Sequence, residues 1–216
     1  NMGKVFQPYI HQYRPGMVSL QNVLEFLPVN VLHIELNVNF PKANFQKEVE
    51  RMVGLKTVIL SGVTNALVHS PISASLFSVT TLESLKIYGL GMSGSLPPKI
   101  CGLVRLTRLE LSRNLLSGSI PAAIASLTNL RFFYLDRNLL SGSIPEAISS
   151  LKKLERLDLS QNQLSGSIPP EILLSLTNLN RARLTENRLS GSVPAAISSL
   201  KKLEDLEFGR NHLNGS

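Results

Sequence analysis

The sequence predicts an α/β solenoid, in which short parallel strands stack coil upon coil and brief helical returns join them. The first observation is a period. Asn114, Asn138, Asn162, Asn187 and Asn211 recur at steps of 24, 24, 25 and 24 residues, the signature of a stacked array of repeats. The second is a shared frame. Each Asn closes a Leu-x-x-Leu-x-Leu-x-x-Asn phrase, as in Leu106 to Asn114, and is followed by Leu-Ser-Gly-Ser-Ile-Pro or a near copy. The third is composition. With 43% apolar and 17% charged residues, the chain is too rich in Leu, Ile and Val for disorder, and it has no apolar run near the ~20 residues that span a bilayer.

Taken in order, residues 1–28 carry no repeat frame. Pro8, Pro15 and Pro28 around the apolar run from Met17 to Leu27 read as an N-terminal cap on the first coil. Residues 29–216 read as the solenoid, with first positions at Val29, Leu55, Leu82, Leu106, Leu130, Leu154, Leu179 and Leu203, about eight coils. Residues 29–81 are irregular: Val29, Leu32, Ile34 and Asn37 hold the frame, while Val63 and Leu90 stand at the Asn position of the next two coils. Residues 82–216 are regular. The array stops at Asn214-Gly215-Ser216, where earlier repeats continue with Ile-Pro, so a fragment of a longer protein is expected.

Within each coil, alternation sends Leu109 and Leu111 inward and Arg108 and Glu110 outward, the period of a strand. The Asn three residues later is expected to turn its amide inward. There it satisfies backbone groups that the tight bend strands, and the stacked amides make a ladder. Gly118, Gly142, Gly166, Gly191 and Gly215 allow backbone conformations closed to other residues. Pro121, Pro145, Pro169 and Pro194 hold the chain extended before a short helical turn such as Ala122 to Leu127. Ala147 to Glu155 is repeated identically at Ala196 to Glu204, 49 residues on, which points to duplication of a two-coil unit. Its odd residue is Leu173 or Leu174, an insertion expected on the convex side.

The phrase Leu-x-x-Leu-x-Leu-Ser-x-Asn-x-Leu-Ser-Gly-x-Ile-Pro resembles the plant-type leucine-rich repeat, well over 82–216 and loosely over 29–81. The resemblance implies a right-handed superhelix with a concave parallel β-sheet, an added short strand near Ser-Gly-x-Ile-Pro, and convex 3-10 turns. Members such as receptor-like kinase ectodomains and polygalacturonase-inhibiting proteins bind peptides, partner receptors or fungal pectinases and catalyse nothing. The resemblance also implies an extracellular or cell-surface location. Members outside the cell usually carry paired cysteines in a Trp-containing cap and several glycosylation sequons. This chain has no Trp, one cysteine, and one sequon at Asn214, so an intracellular location stays open.

Twenty-two Lys and Arg against 15 Asp and Glu give a net charge of +7, which suits an acidic partner. Cys101 stands alone, so no internal disulfide is possible; it is expected as a small buried filler. Aligned strands put exposed residues in columns over a strip of roughly 34 Å, at ~4.8 Å per strand. One column reads Val31, Thr57, Ser84, Arg108, Phe132, Arg156, Arg181, Asp205. The next reads His33, Ile59, Lys86, Glu110, Tyr134, Asp158, Arg183, Glu207. Phe132 and Tyr134 among arginines are the usual anchors of protein interfaces. The candidate site is therefore Arg108, Phe132, Tyr134, Asp136, Arg156, Asp158, Arg181 and Arg183, taking a protein or peptide.

The competing reading is internal pairing: Arg108 and Arg156 on Phe132, Lys86 with Glu110, and Asp158 with Arg183 and Glu207. A third column, Arg113, Arg137, Gln161, Glu186 and Arg210, interrupts the basic excess and argues against a phosphate groove for nucleic acid. Lys152, Lys153, Lys201 and Lys202 are an edge site for anions or plain solubilising residues. The serines of Leu-Ser-Gly-Ser make a hydroxyl array, and ice or polysaccharide binding is the lesser alternative. Another alternative is a structural subunit or assembly factor docked in a larger complex. His11, His33, His69 and His212 lie in different coils without a nucleophile or acid at triad spacing. Glu204, Asp205 and Glu207 have no His or Cys beside them. Catalysis, metal and cofactor are not expected, and any membrane attachment is expected only through segments outside this chain.

Overall fold

The computed structural model describes residues 33–37, 54–62, 71 and 76–214. The expected cap at 1–28, the position of Val63 and the start at Val29 lie outside them. Eight short strands, β1 (His33–Asn37), β2 (Thr57–Ser61), β3 (Ser84–Tyr88), β5 (Arg108–Glu110), β7 (Phe132–Tyr134), β9 (Arg156–Asp158), β11 (Arg181–Arg183) and β13 (Asp205–Glu207), form one long sheet in that order. Every pair is parallel, and β3 to β13 stand in step residue for residue. A second sheet of six strands, β4 (Ser93–Ser95), β6 (Leu115–Gly118), β8 (Leu139–Ser143), β10 (Gln163–Gly166), β12 (Arg188–Ser192) and β14 (His212–Asn214), carries the Leu-Ser-Gly-Ser phrases. The fold is an α/β leucine-rich solenoid.

The coils that start at Leu106, Leu130 and Leu154 each contribute the same buried set, and burial thins over the last two. In one it is Leu130, Phe133, Leu135, Leu140, Ile144, Ile148 and Leu151, each at most 2% exposed. Neighbouring sets stack on one another, so the core is a column and not a globule. The 3-10 turns begin after an extended proline, such as Pro121 at φ −70° and ψ 141° before Ala122–Ser126. Where the two-coil unit carries its extra residue, the turn becomes α-helix α1 (Pro170–Ser175). Leu176 N–H there reaches back four residues to Ile172, whereas Leu127 reaches back three to Ile124. The added residue is thus absorbed by winding one more step: Leu173 turns into the core and Leu174 is left 56% exposed.

The asparagine ladder stands inside the bends that follow β5, β7, β9, β11 and β13. Asn138 donates from Nδ2 to the carbonyls of Leu111 (3.0 Å), Leu135 (3.0 Å) and Asp136 (3.3 Å), and its Oδ1 accepts from Leu116 N–H (3.0 Å). Asn114, Asn162 and Asn187 repeat the pattern. The residue before each ladder Asn is left-handed, with Arg113, Arg137, Glu186 and Arg210 at φ 56° and Gln161 at 53°. That conformation costs a non-glycine residue ~1 kcal/mol, and the amide's bonds to both sides of the bend hold it. In the coil where Leu90 replaces the Asn, the left-handed residue is Gly89, at φ 69°. The strain is removed where its clamp is missing.

The first coil is displaced from its expected frame. His33 pairs with Thr57 and Glu35 with Ile59, so His33 and Glu35, not Val31 and His33, head the two columns. Ile34 and Leu36 stand opposite Val58 and Leu60, two residues out of the expected alignment. A slip of two leaves an alternating pattern on the same face, so alternation alone does not distinguish the two registers.

Candidate binding face

The outward columns of the long sheet bring the predicted residues together. Arg108, Phe132, Arg156 and Arg181 stand side by side on β5, β7, β9 and β11, with Tyr134, Asp158 and Arg183 alongside. Asp136 lies one step further along, level with Ser112, whose hydroxyl donates to its carboxylate. Ser112, Asp136, Ser160 and Thr185 thus form the third line of this face. The residues expected there, Arg113, Arg137, Gln161, Glu186 and Arg210, belong to the left-handed bend and leave the sheet. The strand period carries no signal for that bend.

Phe132 and Tyr134 are half-buried. The Arg108 guanidinium lies over both, 5.2 Å and 5.1 Å from the ring centres, and Arg131 and Arg156 approach Phe132 at 5.6 Å and 5.9 Å. The two rings therefore form a cation-faced platform. Arg108 is fixed by Glu110, its own neighbour two residues on, at 2.9 Å. Lys86 with Glu110, the expected pair, is replaced by this shorter reach along one strand.

Further along the face, Asp205 accepts from Arg181 at 2.8 Å and Arg183 at 3.0 Å, and Glu207 meets Arg183 at 3.2 Å. Asp158 does not bind Arg183 as expected. Its carboxylate takes the backbone N–H and hydroxyl of Ser160, and Arg183 acts on it only as a nearby charge. Burial pushes the Asp158 carboxyl above its ordinary value; the Ser160 hydrogen bonds oppose that rise and the neighbouring Asp136 adds to it. The hydrogen bond to Asp205 raises the already high Arg183 guanidinium, against its partial desolvation. Arg183 Nε is buried with no acceptor.

Two other expectations change. Cys101 is exposed, because Ile100 fills the core position of that turn at 0% exposure and the next residue faces out. Lys153 and Lys202 donate to Asn129 and Asn178, both at 2.8 Å, whose amides in turn hold the carbonyls of Val104 and Lys152. These lysines serve a second, surface ladder. The serines Ser117, Ser119, Ser143, Ser165, Ser167, Ser190 and Ser192 are exposed along the second sheet, with Ser141 half-exposed. Among the described residues, no three His, Cys, Asp or Glu side chains gather as a metal site, and no helix is long and apolar enough to cross a membrane.

The leucine-rich-repeat family model matches residues 105–127, 129–151 and 153–174. No curated protein matches the sequence. Among solved structures, the ectodomain of the Arabidopsis thaliana receptor kinase SOBIR1 is 36% identical with a TM-score of 0.57, covering 61% of this chain and 72% of that one. The GASSHO1/SCHENGEN3 ectodomain from Arabidopsis thaliana, in complex with CASPARIAN STRIP INTEGRITY FACTOR 2, has a TM-score of 0.73 at 29% identity over 78% of this chain. A plant ice-binding protein has a TM-score of 0.69 at 30% identity over 77%. This chain spans 20% of the GASSHO1/SCHENGEN3 chain and 52% of the ice-binding protein. With the period, the amide ladder and the two sheets, these likenesses place it: the chain belongs to the plant-type leucine-rich-repeat proteins.

Proposed function

We propose that this chain is a non-catalytic recognition module that takes a protein or peptide partner on the concave face of its long sheet. One observation carries the reading: Phe132 and Tyr134 stand outward in adjacent columns, under Arg108, on a sheet whose core is already complete without them. Large aromatics beside arginine dominate interface energetics, and nothing in the packing of the solenoid asks for them there. The GASSHO1/SCHENGEN3 ectodomain, similar over most of this chain, holds a partner in its solved complex, which supports the same use of this scaffold. Arg108, Asp136, Arg156, Asp158, Arg181 and Arg183 complete the proposed site.

The test is peptide selection. Random decapeptides displayed on phage are panned on the intact chain, and affinities of the selected set are measured against a double variant, Phe132→Ala with Tyr134→Ala. A loss of at least ~30-fold is expected, equivalent to ~2 kcal/mol, with circular dichroism and melting unchanged. Equal affinity for both proteins would overturn the concave reading.

A second reading is favoured by the exposed serines of the second sheet and by the similarity to a plant ice-binding protein. Rows such as Ser95 with Ser117, and Ser143 with Ser165, lie level on adjacent strands. Ice-recrystallisation assays separate the two: inhibition abolished by Ser117→Tyr with Ser165→Tyr, but not by the aromatic double variant, would assign the function to that sheet.

A further inference from the structure

The charged residues of the concave columns cancel. From β3 to β13 the cations are Lys86, Arg108, Arg156, Arg181 and Arg183, and the acids are Glu110, Asp136, Asp158, Asp205 and Glu207. The chain's excess of +7 therefore lies elsewhere, and the face has no net field with which to attract an acidic partner. Recognition of charge here is local, and the ion pairs show where it falls. Arg108 is occupied by Glu110, and Arg181 and Arg183 by Asp205 and Glu207. Arg156 is exposed and has no acidic partner among the described residues.

The reason is specific. Arg156 and Asp158 stand two residues apart on one strand, the spacing at which Arg108 and Glu110 form their bond. At β9 no such ion pair forms; Ser160 instead holds Asp158 Oδ1 with both its hydroxyl and its backbone N–H. The coil of β5 has Ser112 at the matching place past the strand end, and that hydroxyl is given to Asp136 in the next coil instead. Arg156 keeps only a loose approach to Phe132, at 5.9 Å. Any ligand that covers the aromatic platform also strips water from this guanidinium. Covering an ion without an acceptor is costly, and among the described residues no acidic side chain forms an ion pair with Arg156, the neighbouring acids Asp205 and Glu207 being held by Arg181 and Arg183.

Resting on the proposed concave reading, we infer that Arg156 selects the ligand: a peptide that brings a carboxylate onto Arg156 beside an apolar or aromatic side chain packed on Phe132 and Tyr134. Neighbouring strands are ~4.8 Å apart and an extended chain advances ~3.4 Å per residue, so the two ligand groups are adjacent or next-but-one in sequence. Arg181 and Arg183, though equally basic, contribute little to this choice because their counter-ions are built in.

The experiment repeats the panning in parallel on the intact chain and on Arg156→Gln, Arg156→Lys and Arg181→Gln. One library is fused through the peptide C-terminus, leaving only side-chain carboxylates; a second displays a free C-terminus. The expected result is enrichment of a carboxylate about tenfold at one position next to an apolar residue, the equivalent of one charge-assisted hydrogen bond. Which library shows it identifies the source of the carboxylate. Enrichment should survive Arg181→Gln, weaken with Arg156→Lys and vanish with Arg156→Gln. Persistence on Arg156→Gln, or loss on Arg181→Gln alone, would overturn the inference. Peptides that depend on Phe132 and Tyr134 but show no carboxylate preference would overturn it and leave the concave reading standing. A library from which nothing is selected would overturn both.

Discussion

Replacing Asn138 by Ala tests whether the amide ladder, and not only the leucine column, holds the coils in place. Asn138 is 6% exposed and touches four backbone groups. Three of those have second partners: Leu111 carbonyl also accepts from Asn114, Leu135 carbonyl from Asn162, and Asp136 carbonyl from Arg113 N–H. Only Leu116 N–H is orphaned outright. One buried unsatisfied donor costs ~1–3 kcal/mol, and the left-handed Arg137 loses its clamp as well. The expected total is about 2–4 kcal/mol, or roughly 4–16 °C in melting temperature for a chain of this length. Urea unfolding measures it, and amide exchange at Leu116 should accelerate most. Asn129 supplies the control. It also bridges coils, from Val104 carbonyl to Lys153, but at the surface, so Asn129→Ala should cost at most ~0.5 kcal/mol. Equal costs for the two variants, or no change in Leu116 exchange, would refute the argument.

Three further outcomes follow from the same physics. In α1, Leu173→Ala should cost ~2–4 kcal/mol as a core truncation, while Leu174→Ser at the adjacent exposed position should stay within ~0.5 kcal/mol; the reverse order in urea melts would mean that Leu174, not Leu173, packs into the core. Gly89→Ala combines a left-handed φ of 69° with a Cβ placed 2.5 Å from Gly62 carbonyl oxygen, so it should cost more than Gly142→Ala, whose Cβ meets only Ser119 at 3.5 Å. Thermal melts of the two variants rank them. Asp158→Asn should be more stable than the parent at neutral pH. The folded carboxyl is raised by burial, so the parent gains stability as acid protonates it and loses that gain as pH rises through its folded value. The melting difference should therefore shrink as pH falls toward the ordinary carboxylate range, and a difference that widens on acidification would contradict the assigned cause.

Much of this molecule was legible before any coordinates. Leu109 with Leu111, and Phe133 with Leu135, follow from strand alternation; the inward turn of Asn114 to Asn187 follows from the unmet backbone of a tight bend; and the alignment of Arg108, Phe132, Arg156 and Arg181 follows from the constant period. These are local requirements repeated coil after coil, so the sequence states each one several times. The outward aromatics, and with them the candidate face, come from the same counting.

What only the tertiary structure decided is the choice among neighbours. The first coil's register turned on which of two equivalent phases pairs His33 with Thr57, and alternation is blind to a slip of two. Leu173 or Leu174, and Cys101 against Ile100, turned on how a short return winds against the coil beside it. On the binding face, Glu110 bonds Arg108 while Asp158 leaves Arg156 for Ser160, because several donors compete for one carboxylate within a few ångströms and the outcome rests on small differences of reach and burial. Periodicity fixes which side chains share a surface, because it is a property of the backbone. Which of them hold one another, and which stay open for a partner, is settled by side-chain contacts within and between coils, on which the period carries no information.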